Sequence, residues 1–178
     1  MTETPFRQVL SGAIIFCLCM ALLLFLRLLP LPGFMGWPGP DIALCLTFAW
    51  VLRRPDTLPA AVILAAFLLE DVILLRPLGL WTLFVVLGVE FARSREERWR
   101  EQALVFEWLR VAMLISAMMV GYRFVQILFM LPVPALRQVL LQLIATIMAY
   151  PLVTYAARWL IGLRRITPAE ADMMRYGR

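Results

Sequence analysis

The sequence of 178 residues has no histidine and no lysine, and it has only three cysteines. Without histidine, the chain cannot build a histidine-based catalytic triad, an imidazole metal site or a histidine proton relay. Cys17, Cys19 and Cys45 each lie inside an apolar run, which is typical of small buried hydrophobic side chains. The net charge of +5 comes from arginine alone. In a membrane protein such charge sets orientation, so it does not indicate a nucleic-acid partner.

Charged residues are scarce as well, at 16% of the chain, whereas 63% of residues are apolar and the mean hydropathy is +0.85. Ordinary soluble domains are about 45–50% apolar and about 25% charged. A soluble domain of this size could not hide so many apolar side chains, because too many of its residues lie at the surface. The composition therefore predicts an integral membrane protein, with room for about six spans at about 20 residues per helix.

Charges, prolines and glycines divide the chain into six apolar runs. They predict an all-α integral membrane protein with six transmembrane helices in one polytopic domain over residues 1–178, at 9–29, 41–52, 58–75, 78–92, 111–131 and 138–163. The second run is short, so it must either thin the bilayer locally or be covered by neighbouring helices. Pro40 suits the first position of its helix, and Asp41 suits the positive end of the helix dipole. Asp56 or Thr57 can cap the third helix.

The most strongly charged stretch covers residues 93–110. Its apolar positions, such as Trp99, Ala103 and Phe106, are spaced three or four apart, which predicts an amphipathic helix on the membrane surface. Residues 164–178 form a short polar tail. With six spans and a cytoplasmic N-terminus, twelve arginines fall on the cytoplasmic side and three on the outer side. This bias predicts that both termini and the 93–110 loop are cytoplasmic.

Charged residues inside apolar runs are the first candidates for function. Arg123 falls near the middle of the fifth predicted span, so it should face other helices and have an acidic or carbonyl partner, with Glu70 and Asp71 the nearest candidates. Together with Asp41, these groups either fix helix registry or line a polar cavity for a ligand or a partner's helix. Glu70 and Asp71 are adjacent and diverge by about 100° on a helix, which argues against a carboxylate dyad for acid–base catalysis.

Motifs for catalysis are missing from the sequence. It contains no P-loop, no dinucleotide fingerprint, no nucleophile elbow and no cluster of metal ligands. We therefore expect a protein without enzymatic activity and without a cofactor. Small residues four apart, such as Ala117 and Gly121, favour close helix packing in lipid.

Two short sequence motifs, which we call the two strings, follow one another along the chain. The first is Pro40-Asp41, then an apolar span with Trp50, then Arg53-Arg54-Pro55. The second is Leu69-Glu70-Asp71, then Arg76-Pro77-Leu78-Gly79-Leu80. Both strings resemble signatures of MreD, the rod shape-determining membrane protein family of bacteria, and the six-span layout and arginine-rich loop also fit. The sequence departs from that family ahead of Asp71. The family often has a glycine there, whereas this chain has Ala65 and Ala66.

The resemblance implies a non-enzymatic adaptor of the elongasome, which maintains rod shape by directing sidewall peptidoglycan synthesis from the bacterial cytoplasmic membrane. It implies MreC as the direct partner, and MreB, RodA, RodZ and penicillin-binding protein 2 as members of the same complex. It also implies a fold similar to the substrate-binding subunits of energy-coupling-factor transporters. The residues expected to be structurally decisive or to contact a partner are Asp41, Arg53, Arg54, Glu70, Asp71, Pro77, Gly79, Trp99 and Arg123.

Two alternatives come from other functional classes. The first is a substrate-binding membrane subunit of a vitamin-type transporter. Such subunits usually carry Ala-x-x-x-Ala in the first helix, where this chain has only Ala13 and Cys17. The second alternative is a lipid-modifying enzyme, for which the sequence offers no obvious acid, base or metal constellation.

Overall fold

The computed structural model describes residues 6–29, 39–95 and 104–160. Within these ranges the chain forms six α-helices and one short 3-10 turn, and no strand. The helices are α1 (Phe6–Leu28), α2 (Ile42–Val51), α3 (Ala60–Ile73), α4 (Leu80–Arg93), α5 (Leu104–Leu128) and α6 (Leu136–Leu160), with the 3-10 turn at Pro55–Thr57. The expectation of an all-α protein is confirmed for the described residues.

Three of the helices are long and apolar enough to cross a membrane. They are α1, α5 and α6, over residues 7–28, 105–128 and 136–159. The other three are shorter, with 10 residues in α2 and 14 each in α3 and α4. The structure therefore agrees with the membrane character expected from the composition, because three of its helices are candidate spans. The number of six spans stays a prediction.

Helix α2 is the centre of the molecule. Every residue from Ala43 to Val51 is buried, because α1, α4 and α6 pack around it. Its sequence has no polar face to present to solvent, and its one hydroxyl, on Thr47, donates to the carbonyl of Ala43 within the helix. Of the two outcomes expected for this short helix, coverage by its neighbours is the one observed.

The start of α2 is set by Asp41. Its carboxylate accepts the backbone N–H of Leu44 at 3.2 Å, so Asp41 is the N-cap and the helix begins at Ile42. Pro40 precedes the cap and is not the first helical residue as predicted. The expectation that Asp56 or Thr57 caps α3 is wrong, since the N-cap there is Pro59, without a side-chain hydrogen bond.

Helices α3 and α4 pack side by side as a hairpin. The turn between them contains Pro77 and Gly79, and Gly79 has a φ of 76°, a left-handed conformation that glycine adopts without strain. Because Gly79 has no side chain to cap α4, the cap comes from α3: the Asp71 carboxylate accepts both the backbone N–H and the hydroxyl of Thr82. At the other end of the hairpin, Arg93 donates to the carbonyl of Leu58 at 2.7 Å.

The surface helix predicted over residues 93–110 overlaps with two of the observed helices. Helix α4 extends to Arg93, and α5 already begins at Leu104, so the last third of the predicted surface helix belongs to a candidate span. Glu107 is accordingly buried in the core and does not lie on a solvated face. Trp99 lies outside the described residues.

Helix α6 continues through Pro151 because its neighbour compensates for the missing hydrogen bond. Proline has no backbone N–H, so the carbonyl four residues earlier, on Ile147, has no partner within the helix. The indole N–H of Trp108 in α5 donates to this carbonyl at 2.9 Å. The pair therefore fixes the register between α5 and α6.

Small residues and cysteines divide between core and surface. A Cβ added at Gly121 in α5 would lie 2.7 Å from a ring carbon of Phe84 in α4, so the close approach is confirmed at Gly121. Ala117, the other member of the predicted pair, is exposed. Of the three cysteines read as buried, only Cys45 is buried, whereas Cys17 is exposed on α1 and Cys19 is half-buried. Both of these cysteines lie on a helix that packs on the core along one side only.

Candidate functional site: two buried polar clusters

Polar and charged side chains meet at each end of α2. One group, which we call the Asp41 cluster, consists of Arg27, Asp41, Glu70, Asp71 and Arg76. The other, which we call the Arg53 cluster, consists of Arg53, Glu107 and Tyr150. The acidic side chains of both clusters are buried, so each must be paired or hydrogen-bonded to be tolerated there.

Glu70 is the centre of the Asp41 cluster. Its Oε1 accepts from Nη1 of Arg27 at 2.9 Å and lies 3.6 Å from Nη1 of Arg76. The same Arg27 nitrogen lies 4.0 Å from Oδ2 of Asp41. The side chain of Arg27 is 34% exposed, so this arginine links buried carboxylates with the surface of the molecule. One cation from α1 thus connects the N-terminus of α2 with the last turn of α3.

Helix α6 contributes to the Asp41 cluster through a hydroxyl. The backbone N–H of Asp41 donates to Oγ1 of Thr146 at 3.0 Å, and that hydroxyl donates in turn to the carbonyl of Gln142 at 2.7 Å. Thr146 is the eleventh of 25 residues in α6. The N-terminus of α2 therefore begins beside the middle of a candidate span, about 15 Å along it at 1.5 Å per residue.

Three buried polar atoms near this cluster have no hydrogen-bond partner among the described residues. They are Oε2 of Glu70, Oδ1 of Asp71 and the indole nitrogen of Trp81. The cluster also holds three carboxylates against two guanidinium groups. The segment 30–38, between α1 and α2, adds no ionisable side chain to this balance.

The Arg53 cluster is more completely buried and more fully paired. Nη1 of Arg53 lies 3.2 Å from Oε1 of Glu107 and also donates to the carbonyl of Ala49 at 3.1 Å. The hydroxyl of Tyr150 donates to the same Glu107 oxygen at 2.7 Å. The side chains of Arg53 and Glu107 are 5% and 1% exposed. One ion pair with a tyrosine thus joins α5 and α6 to the C-terminal end of α2.

Most of the residues singled out from the sequence lie in these clusters or in the turns beside them. Asp41, Glu70 and Asp71 come together, and Arg53 belongs to the second cluster. Pro77 and Gly79 form the hairpin turn, while Arg54 is exposed after α2. These positions agree with the interpretation that the charges join helices.

Arg123 is the exception. Its guanidinium donates to the carbonyl of Pro134 at 2.8 Å, in the turn between α5 and α6, and contacts neither Glu70 nor Asp71. Of the two kinds of partner expected, the carbonyl is observed and the acidic side chain is not. Because α5 ends at Leu128, Arg123 lies five residues from its end and not near the middle of the helix.

Glu107, Tyr150, Thr146 and Thr82 are the members of the polar core that sequence reasoning missed. One signal for them exists in α6, where polar side chains recur every four residues at Gln142, Thr146, Tyr150 and Thr154. Such a stripe lies on one face of a helix, and in an apolar environment that face must turn toward the protein.

The chemistry available to these clusters is that of structural ion pairs. Among the described residues, no group of three histidine, cysteine or acidic side chains is placed to hold a metal ion. Glu70 and Asp71 point to different partners, as their 100° separation on a helix predicts. Each cluster instead joins α2 to helices that are distant in sequence.

Comparison with known proteins identifies no relative: no protein-family model matches the chain, and neither curated proteins nor solved structures give a significant match.

Proposed function

We propose that this chain is a non-enzymatic membrane adaptor of the MreD type, which holds MreC in the bacterial cytoplasmic membrane and thereby supports sidewall peptidoglycan synthesis. The observation that carries the proposal is the ordered pair of strings from Pro40 to Pro55 and from Leu69 to Leu80.

The positions of these strings in the fold support the proposal. Asp41 caps α2, Arg53 pairs with Glu107 at the other end of that helix, and Asp71 caps α4. A docking surface made of rigid helices binds a partner better than mobile ones, because less conformational entropy is lost on binding. Residues of the two strings supply contacts that fix both ends of α2 and the start of α4.

The outward surface also suits an adaptor. The buried carboxylates of the two clusters make contacts within the chain, and the exposed faces of α1, α5 and α6 are lined with large apolar side chains. A partner within the bilayer would therefore meet helix surfaces, on which association depends on close packing. A single membrane-spanning helix of MreC is the kind of partner that such a surface accepts.

The arginine distribution gives the proposed orientation, with both termini in the cytoplasm and six membrane passages. Cytoplasmic arginines also attract anionic lipid headgroups, by about 1 kcal/mol for each residue near the surface. Fusing a reporter that is active only in the cytoplasm, or only outside it, to residue 178 tests this orientation. Activity of the periplasmic reporter would contradict it.

Depletion of the protein in its bacterial host is the decisive experiment. We expect rod-shaped cells to become round, and expect a plasmid copy of the chain to restore rods. In mild detergent, a tagged copy should co-purify MreC. Normal rods after depletion, with no MreC recovered, would reject the adaptor function. Stabilisation of the purified protein against heat by a vitamin-type ligand would then favour the transporter subunit.

A further inference from the structure

The two helices of the α3–α4 hairpin are shorter than the candidate membrane spans. They have 14 residues each, or about 21 Å at 1.5 Å per residue, whereas α1 and α6 have 23 and 25 residues, or about 35 and 38 Å. The hydrocarbon core of a typical bilayer is about 30 Å thick. The hairpin therefore falls short of this thickness by about 9 Å.

One face of this hairpin is both exposed and apolar. The two acidic residues of α3, Glu70 and Asp71, are buried on its opposite side. The outward face carries the exposed side chains of Leu64, Leu69, Val72, Leu83, Leu87 and Phe91. Because the candidate spans α1 and α5 pack against this hairpin, an exposed apolar face on it is suited to the hydrocarbon region.

Charged groups mark both ends of the apolar face. At the turn, the guanidinium of Arg76 lies 5.7 Å from the ring centre of Trp81. At the other end, Glu90 is 47% exposed and lies 3.2 Å from Arg93. From Leu80 to Glu90 the helix rises by ten residues, or about 15 Å. A bilayer of ordinary thickness would place one of these charged ends in hydrocarbon, where charge is costly.

Helix α6 provides an internal standard for an ordinary bilayer. Its exposed arginines, Arg137 and Arg158, are 21 positions apart, or about 31 Å along the helix. The exposed side chains between them include Leu140, Ile144, Met148 and Leu152. This apolar face matches the typical hydrocarbon thickness, so the short face is a property of one side of the molecule.

We propose that the α3–α4 face is covered by the acyl chains of a locally thinned bilayer, with a hydrocarbon core of about 20 Å. Lipid is the occupant that fits, because the face is apolar over the length of both helices and is bounded by charges suited to headgroups. The protein thus presents a thin lipid layer on one side and a layer of ordinary thickness on the other. This inference does not depend on the proposed function.

Spin-label depth measurements on the full-length protein test this proposal directly. The background carries Cys17→Ala and Cys19→Ala and retains the buried Cys45, and its labelling without an added cysteine is the blank. Single cysteines replace Leu64, Leu69 or Val72 on α3, and Leu140, Ile144 or Met148 on α6. The protein is reconstituted in dioleoyl phosphatidylcholine, and the contact of each nitroxide with oxygen and with a water-soluble nickel relaxant gives its depth.

Shallow labels along all of α3 would support the proposal. The deepest α3 label should lie about 5 Å nearer the headgroups than the label at Met148, since half of 21 Å is about 10 Å, whereas Met148 lies about 15 Å from Arg158 along α6. Equal depths on α3 and α6 would overturn it. A label at Val72 that is as deep as the one at Met148 would show a submerged hairpin and also overturn it. Immobile spectra from α3 alone would mean that protein, not lipid, covers the face.

A charge variant gives a second and independent test. Glu90→Leu removes the exposed carboxylate and lengthens the apolar face by about one turn. With the label at Leu87, we expect this variant to move the nitroxide deeper by a few ångströms. The matched control, Glu90→Gln, keeps a polar side chain and should leave the depth unchanged. No change in the leucine variant would show that Glu90 does not set the boundary.

Discussion

The two buried clusters at the ends of α2 balance their charges in different ways. In the Arg53 cluster, one guanidinium faces one carboxylate, and a tyrosine hydroxyl supplies a further donor. In the Asp41 cluster, Arg27 contacts both Asp41 and Glu70 and extends to the surface, and Arg76 lies beside Glu70. The third carboxylate, on Asp71, accepts from Thr82. The enclosed cluster therefore depends on a buried cation, whereas the cluster that reaches the surface can also draw on solvent or headgroups.

This difference predicts unequal sensitivity to substitution. A buried ion pair that loses one partner leaves a charge in a medium that solvates it poorly, and the cost is several kcal/mol. A partly exposed pair is screened and is usually worth less than 1 kcal/mol. We therefore expect the largest effects at Arg53 and the smallest at Arg27.

Arg53→Met should have the largest effect, a loss of about 3 kcal/mol in the free energy of unfolding, because it removes the buried cation beside Glu107. The midpoint of unfolding, followed by tryptophan fluorescence in mild detergent, measures this loss. The neighbouring and exposed Arg54→Met is the matched control and should change the midpoint little. The double variant Arg53→Met with Glu107→Leu should recover most of the loss, and no recovery would contradict a simple pair.

Asp71→Ala should destabilise the protein by about 2 kcal/mol, since it removes the acceptor for the N–H and hydroxyl of Thr82. The amide variant Asp71→Asn keeps one oxygen acceptor, so its loss should be smaller. Amide hydrogen exchange at the first turn of α4 checks the mechanism. Equal exchange rates in the alanine variant and the parent would show that Asp71 is not the cap.

Trp108→Phe should cost about 1 kcal/mol, because the carbonyl of Ile147 loses its donor. Pro151→Ala restores a backbone N–H to α6, so the same tryptophan substitution should cost less in that background. A double-mutant cycle on the unfolding midpoint measures the coupling. Additive losses would indicate that the indole matters through its packing alone.

Arg27→Gln should have the smallest effect, below about 1 kcal/mol, because Glu70 keeps Arg76 at 3.6 Å and Arg27 is partly exposed. The same unfolding midpoint, compared at low and high salt, measures this contribution. If Arg27→Gln lowered the free energy of unfolding as much as Arg53→Met, the proposed difference between the two clusters would be wrong.

The sequence allows the helical architecture and the grouping of Asp41, Glu70 and Asp71 to be predicted, because each begins from a local signal. Apolar runs locate the helices, and carboxylates inside such runs must be paired wherever they lie. The start of α5 could not be found in this way. The charges of residues 93–110 mimic a solvated face, and the partner that buries Glu107 is Arg53, which lies 54 residues away in the sequence.

The error at Arg123 follows from that misplaced boundary. Counting from residue 111 places Arg123 near the middle of a span, whereas the observed helix places it near the turn, within reach of Pro134. An error in a predicted helix boundary therefore becomes an error in the predicted depth of every charge that is counted from it. A polar stripe such as that of α6 avoids this weakness, because it depends on spacing within one helix.

The burial of α2 has a consequence for how the protein is made. The backbone N–H of its N-cap residue, Asp41, donates to Thr146, 105 residues later. The burial of α2 also depends on α6, the last of the six described helices to leave the ribosome. Until α6 is synthesised, the ends of α2 lack their final partners. The core around α2 is therefore completed last. A chain truncated before α6 would leave both ends of α2 without these contacts.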